Sequence, residues 1–114
     1  TTNGNGLLKT TSNGTTKYYK IGLLTVDEAA FAGGVHNVSN NTYYLYNGNT
    51  YWLLSPYAFN TNVLRAVVYS MYSSGNLYPM PADYVFGVRP AVSLKSTASV
   101  SGGDGTINNP YVIG

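Results

Sequence analysis

Asn-Gly pairs set between short runs of Thr, Tyr, Val and Leu constrain this chain more than any other feature. A two-residue type I′ turn needs positive φ at both central positions, which Asn and Gly adopt at low cost, so a flanked pair predicts a β-hairpin. The opening TTNGNGLLKTTSNGTTKYYKIGLL holds such pairs at Asn3, Asn5 and Asn13. Asn13-Gly14, between Leu7 to Ser12 and Thr15 to Ile21, reads as the first hairpin. A more strongly marked one runs from Thr42 to Tyr46, turns at Asn47-Gly48 and returns from Asn49 to Leu54. Trp52, the sole tryptophan, sits in its apolar run YWLL and is expected in the core with its N–H bonded. Ser55-Pro56 is expected to stop that strand, because proline brings no donor to a ladder.

One stretch carries helix signals. Thr25 precedes Val26, Asp27 and Glu28 in the S/T-x-x-E capping-box spacing, which predicts a short helix from Val26 to Ala32 with both acids in its first turn. Gly33 and Gly34 end it, and residues 35–41 read as a loop. Further on, RAVVYSMY predicts a strand from Arg65 to Tyr72, with a turn from Ser73 to Asn76 and a short return at Leu77 and Tyr78. PMPADYVF, with two prolines in three residues, reads as a loop exposing Tyr78, Met80, Tyr84 and Phe86. A buried strand is expected from Val88 to Leu94. A last hairpin then pairs Ala98 to Ser101 with Tyr111 to Ile113 across Gly102 to Asn109.

At 114 residues the chain is expected to form a single domain, 1–114, with residues 1–20 as an amino-terminal hairpin or linker region. Charged residues make up only 9% of it, against about a quarter in ordinary proteins, and Asn, Thr, Ser, Gly and twelve tyrosines take their place. A net charge of +2 offers no patch able to neutralise a run of phosphates, so nucleic acid is not an expected partner. No apolar run is long enough for a membrane span, and the start at Thr1 has the look of a processed protein or a fragment. Without cysteine there is no disulfide framework and no thiolate metal site.

A search for catalytic constellations finds little. His36 is the only histidine and falls in a polar loop, without the partners that a base or metal ligand needs. No serine has a G-x-S-x-G context, and SGGDGT is no phosphate loop. Asp104 in that stretch offers calcium one carboxylate where six to eight oxygens are wanted. The expected cofactors and metals are therefore none, and the chain is not expected to be an enzyme. The Asn-x-Ser/Thr triplets at Asn13, Asn37 and Asn40 arise readily in so Asn- and Thr-rich a sequence.

What remains is recognition by surface. Tyrosine gives large amphipathic contact area at low entropic cost, and Asn and Ser give adaptable hydrogen bonds, as in an antibody paratope. Residues 57–86 have this composition, with candidate ligand-binding residues Tyr57, Phe59, Asn60, Asn62, Arg65, Tyr69, Tyr72, Asn76, Tyr78, Met80 and Tyr84. The alternative is that half of these tyrosines pack the second face of a small sheet.

YWLLSPYAFN, then VYSMYSSGNL, YVFGVRPAVSL and SGGDGTINNPYVI resemble an extracellular domain of Gram-positive gut bacteria carrying W-x-x-SP, S-x-G-x-L and GVRP before an apolar strand. Across roughly residues 21–113 the order of elements is also similar to the C-type-lectin-like domain of phage and bacterial variable proteins, the targets of diversity-generating retroelements. The resemblance implies a C-type-lectin-like α+β fold, mostly β, of antiparallel hairpins with one short helix. Trp52 and the strand from Val88 would be scaffold, and residues 58–84 the variable ligand face. The chain lacks the paired acids and amides of a calcium-dependent sugar site. The expected function is thus a non-catalytic extracellular or cell-surface module, or part of a phage particle, that binds a protein or glycan partner without membrane insertion. The alternative is a structural subunit of a bacterial surface assembly, pilin-like or a surface-layer protein.

Overall fold

The computed structural model describes residues 8–106 and 108–114. Strand accounts for 43% of the described residues and helix for 6%, which makes them mostly β, with antiparallel hairpin sheets and one short helix, as expected. In chain order the elements are β1 (Leu8–Ser12), β2 (Thr15–Tyr19), β3 (Ile21–Gly22), α1 (Val26–Phe31), β4 (Tyr51–Asn60), β5 (Arg65–Met71), β6 (Leu77–Pro81), β7 (Ala91–Val92), β8 (Val100–Gly102) and β9 (Val112–Ile113). They separate into two compact units, one of residues 21–91 and one built from residues 8–20 and 92–114.

The first unit is organised by a three-stranded antiparallel sheet in the order β4-β5-β6. Side chains alternate across a strand, so the register sorts them into two faces. Tyr51, Met71 and Leu77 stand opposite one another and are all buried. With Leu53, Ala29 of α1 and Leu45 they form the core. The next row over, Trp52, Ser70 and Tyr78, points to the other face. Trp52 is therefore half-buried outside the core, and its neighbours Tyr51 and Leu53 fill the place expected of it.

Helix α1 carries the expected capping box. The Glu28 N–H donates to Thr25 Oγ1 at 3.2 Å, and the Thr25 N–H donates to Glu28 Oε2 at 2.8 Å. The Val26 N–H, a further unpaired donor of the first turn, is taken by Ser55 Oγ at 2.9 Å. At the other end Gly34 N–H bonds Ala29 O and Gly33 N–H bonds Ala30 O, a Schellman closure one residue short of the expected Ala32.

Four expectations need correcting. The hairpin across Asn47-Gly48 does not form: residues 42–50 hold turns and bends but no strand, and β4 pairs instead with the next strand, β5, across residues 61–64. Asn47 is not among the residues at positive φ, and its Oδ1 instead accepts from Asn49 N–H at 3.0 Å, an Asx turn that replaces the type I′ geometry. Pro56 does not stop its strand. β4 lies at the sheet edge and absorbs the proline in register shifts between Trp52 and Ala58, and proline is tolerated at edges and bulges. PMPADYVF is strand as far as Pro81, because β6 is the other edge. The buried strand from Val88 to Leu94 shrinks to β7, paired with β3 where the chain enters and leaves the first unit, and Val88, Val92 and Leu94 are exposed.

The second unit is two hairpins. β1 and β2 pair from Leu8 opposite Tyr19 to Ser12 opposite Thr15, around Asn13 at φ 48° and Gly14 at φ 74°, the turn read from the sequence. The return strand ends at Tyr19, short of the expected Ile21, and Leu7, like Asn3 and Asn5, lies outside the described residues. β8 and β9 form the last hairpin, shorter than expected, and Ile107 in its loop lies outside the described residues.

Candidate functional site

The motif residues hold the first unit together. Arg89 of GVRP donates from Nη1 to Leu45 O at 2.7 Å and to the Tyr51 hydroxyl at 3.3 Å, and its guanidinium lies 5.4 Å from the centre of the Tyr51 ring. Gly87 of the same motif bridges β4 in parallel: its N–H bonds Thr50 O, and its carbonyl accepts Trp52 N–H. In S-x-G-x-L, Gly75 sits at φ 81°, and a Cβ there would lie 1.6 Å from Asn40 O. Asn76 follows it into the interior, 8% exposed, with its Oδ1 accepting from Ser74 Oγ at 2.6 Å.

The remaining candidate residues fall on two faces and a tip. On the core face Tyr69 packs half-buried against the core, with His36 edge-on at 6.0 Å and Tyr57 edge-on at 5.3 Å. Asn60 and Arg65 pair across the end of β4 and β5. At the tip, Asn60 Oδ1 accepts from Asn62 N–H, and Leu64 stands exposed at φ 51°. Arg65 and Asp83 meet at 3.4 Å with both side chains about half exposed, an arrangement worth little in water.

The second face gathers most of the aromatic surface. Tyr78 stands on β6, and the Tyr72 ring lies 5.9 Å from it. Trp52 meets Phe86 at 4.9 Å, and Tyr84 stacks on Phe86 at 5.9 Å and 27°. The rings thus form a pair, Tyr72 with Tyr78, and a trio in which half-buried Trp52 and Phe86 support the more open Tyr84. Tyr72, Tyr78 and Tyr84 remain 39%, 40% and 49% exposed. Met80, Val68 and Pro56 form the next row, and Phe59 stands opposite Ala66 beyond it. Trp52 was missed as a member of this group, although strand alternation from Tyr51 could have assigned it; Phe86 was read as exposed beside Tyr84 but not as a binding residue.

The tyrosines divide by what their hydroxyls do. Tyr43 donates to Gly75 O at 2.8 Å and also to Met71 Sδ, and Tyr51 donates to Leu45 O at 2.9 Å. Burial, with a smaller contribution from Tyr51, pushes the Tyr43 phenol up to about 12. Tyr72, Tyr78 and Tyr84 have no hydroxyl partner among the described residues.

Chemical alternatives are spare. Glu28 is in the capping box, and Asp104 is held below the usual carboxylate range, first by the Thr106 N–H it accepts. Among the described residues no group of three His, Asp or Glu side chains is placed to hold a metal, and no helix is long and apolar enough to cross a membrane. No protein-family model, curated protein or solved structure matches the chain.

Proposed function

We propose that residues 21–91 form a non-catalytic recognition module whose binding surface is the aromatic second face, Tyr72, Tyr78 and Tyr84 over Trp52 and Phe86, and whose partner is a protein or glycan outside the cell. The observation that carries this is the Tyr72–Tyr78 pair and the Trp52–Phe86–Tyr84 trio away from the core, with the tyrosines open to water. Core packing explains Tyr43 and Tyr51, whose hydroxyls are engaged, but not these three. An aromatic centre supplies most of the affinity of a typical binding surface, and rigid rings lose little entropy on contact. A C-type-lectin-like assignment belongs to the same proposal and is supported by the quoted motifs and by the order of one helix before a three-stranded sheet.

The test is a pair of variants, Tyr78→Ala and Tyr84→Ala, screened beside the parent chain on arrays of surface glycans and proteins. Binding is expected to fall about tenfold or more while the thermal midpoint stays within a few degrees. An equal loss of stability would place the rings in the packing instead, and concentration-dependent oligomers in sedimentation would favour an assembly subunit.

A further inference from the structure

We infer that the ligand of the second face is a neutral glycan chain laid across Tyr72, Tyr78 and Tyr84, an inference that rests on that face being the recognition surface. Charge is the first argument. Residues 21–91 contain no lysine, and their two arginines are occupied, Arg89 by Leu45 O and Tyr51, Arg65 by Asp83. Of their acids, Asp27 and Glu28 belong to the first turn of α1 and Asp83 to the Arg65 pair. The aromatic face thus offers no free charge, and its complement is an uncharged ligand.

The contacts on offer point the same way. Tyr rings present an electron-rich face to polarised C–H groups and a hydroxyl that both donates and accepts. The three open tyrosines keep those hydroxyls free of partners among the described residues, so the ligand that satisfies both parts carries C–H faces and many hydroxyls, as a sugar ring does. Trp52 and Tyr78 flank Ser70 on successive strands, so their backbones lie about 9.6 Å apart at the usual strand spacing, room for consecutive sugar rings of an extended chain.

Beside this face the sheet edges are closed to a common way of taking a peptide, the addition of a strand. In β6 the residues facing β5 with their N–H groups are Tyr78 and Met80, which leaves positions 77, 79 and 81 to face outward. The Leu77 N–H is bonded to Val35 O, and the other two are prolines without a donor. On β4 the Trp52 N–H goes to Gly87 O, the Leu54 N–H goes to Leu24 O, and Pro56 has none. Beside Trp52 and Tyr78 a ligand is left with the face.

Trp52 is the only tryptophan and stands beside this surface, so its fluorescence reports occupancy in the full chain without a label. The probes are neutral linear oligosaccharides of differently linked glucose, mannose, xylose and N-acetylhexosamine, with a polyuronate as the charged control. A neutral probe is expected to give a saturable emission change whose midpoint moves less than about twofold between 0.05 and 0.5 M salt. Tyr78→Ala and Tyr84→Ala are each expected to weaken it about tenfold or more, with an unchanged thermal midpoint. Absence of any saturable response to the neutral probes, a response to the polyuronate alone, or unaltered binding in both variants overturns the inference. A protein ligand lost in both variants overturns the glycan while leaving the recognition surface standing; array binding that neither variant alters overturns both.

Discussion

The Tyr43 hydroxyl is held inside by Gly75 O and Met71 Sδ, and its ionisation is pushed from 10.0 to about 12 by burial and then by Tyr51. A phenol whose folded-state value is raised contributes stability in full below its unfolded value and loses it as pH climbs through the folded one. Between pH 10 and about 12 the unfolded chain ionises at this site while the native one resists, so unfolding is favoured there. Thermal melts across that window should fall more steeply for the parent than for Tyr43→Phe, and a parallel slope in the two would remove Tyr43 from the explanation. At neutral pH the same variant should cost about 1 kcal/mol, the ordinary worth of a hydrogen bond. Gly75 is the less forgiving neighbour. Gly75→Ala sets a Cβ against Asn40 O at a positive φ, so the turn must move, and a loss of about 2 kcal/mol or more in denaturant melts is expected. The turn at Ser73 to Asn76 was legible from its glycine, but the partners of Tyr43 and Arg89 were not, since each acts across 28 to 44 residues of sequence.

At the scale of elements, what could be read was local. Thr25 and Glu28 announced α1 because both partners of the capping box lie within one turn, and Asn13-Gly14 announced the first hairpin for the same reason. Thr25→Ala should lower stability by about 1 kcal/mol and leave the β signal in circular dichroism unchanged. Asn47-Gly48 carried the same turn chemistry and failed. The hairpin it offered lost to the next one along the chain, β4 with β5, which leaves Leu45 and Tyr51 to enter the core and the Trp52 and Leu54 N–H groups to bond elsewhere. Prolines misled in the other direction. A proline argues against a central strand, but a sequence does not say which strands are edges, and Pro56, Pro79 and Pro81 all fall on edges. In β6 their placement blunts the sheet, since an unpaired N–H row invites another strand. Replacing Pro79 and Pro81 together by Val restores two outward donors, and concentration-dependent self-association in sedimentation velocity is the expected result. A double variant as monodisperse as its parent would mean that the prolines serve some other purpose.

Across the whole molecule, burial is unevenly shared. Ala29, Leu45, Tyr51, Leu53, Met71 and Leu77, the entire core, belong to residues 21–91, whereas no side chain described in residues 8–20 or 92–114 is buried. There Tyr18, Tyr19, Val100 and Val112 stand exposed on two-stranded ribbons, which in water are marginal without a third strand or a packed face. The six core residues also explain how much the chain can hold: a sheet of three strands and a single short helix bury little, so hydrogen bonds such as those of Arg89 and Tyr51 carry a larger share of the order. Amide exchange separates the two units directly, because protection follows the free energy of the opening that exposes each N–H. The amides of Trp52, Leu54, Tyr72 and Leu77, each bonded within the first unit, should exchange slowest and report global unfolding. Those of β1, β2, β8 and β9 should exchange orders of magnitude faster, with rates that barely change when Gly75→Ala destabilises the sheet. Equal protection in both units, falling together in that variant, would show a single cooperative body and would require the ribbons to draw their stability from the same core.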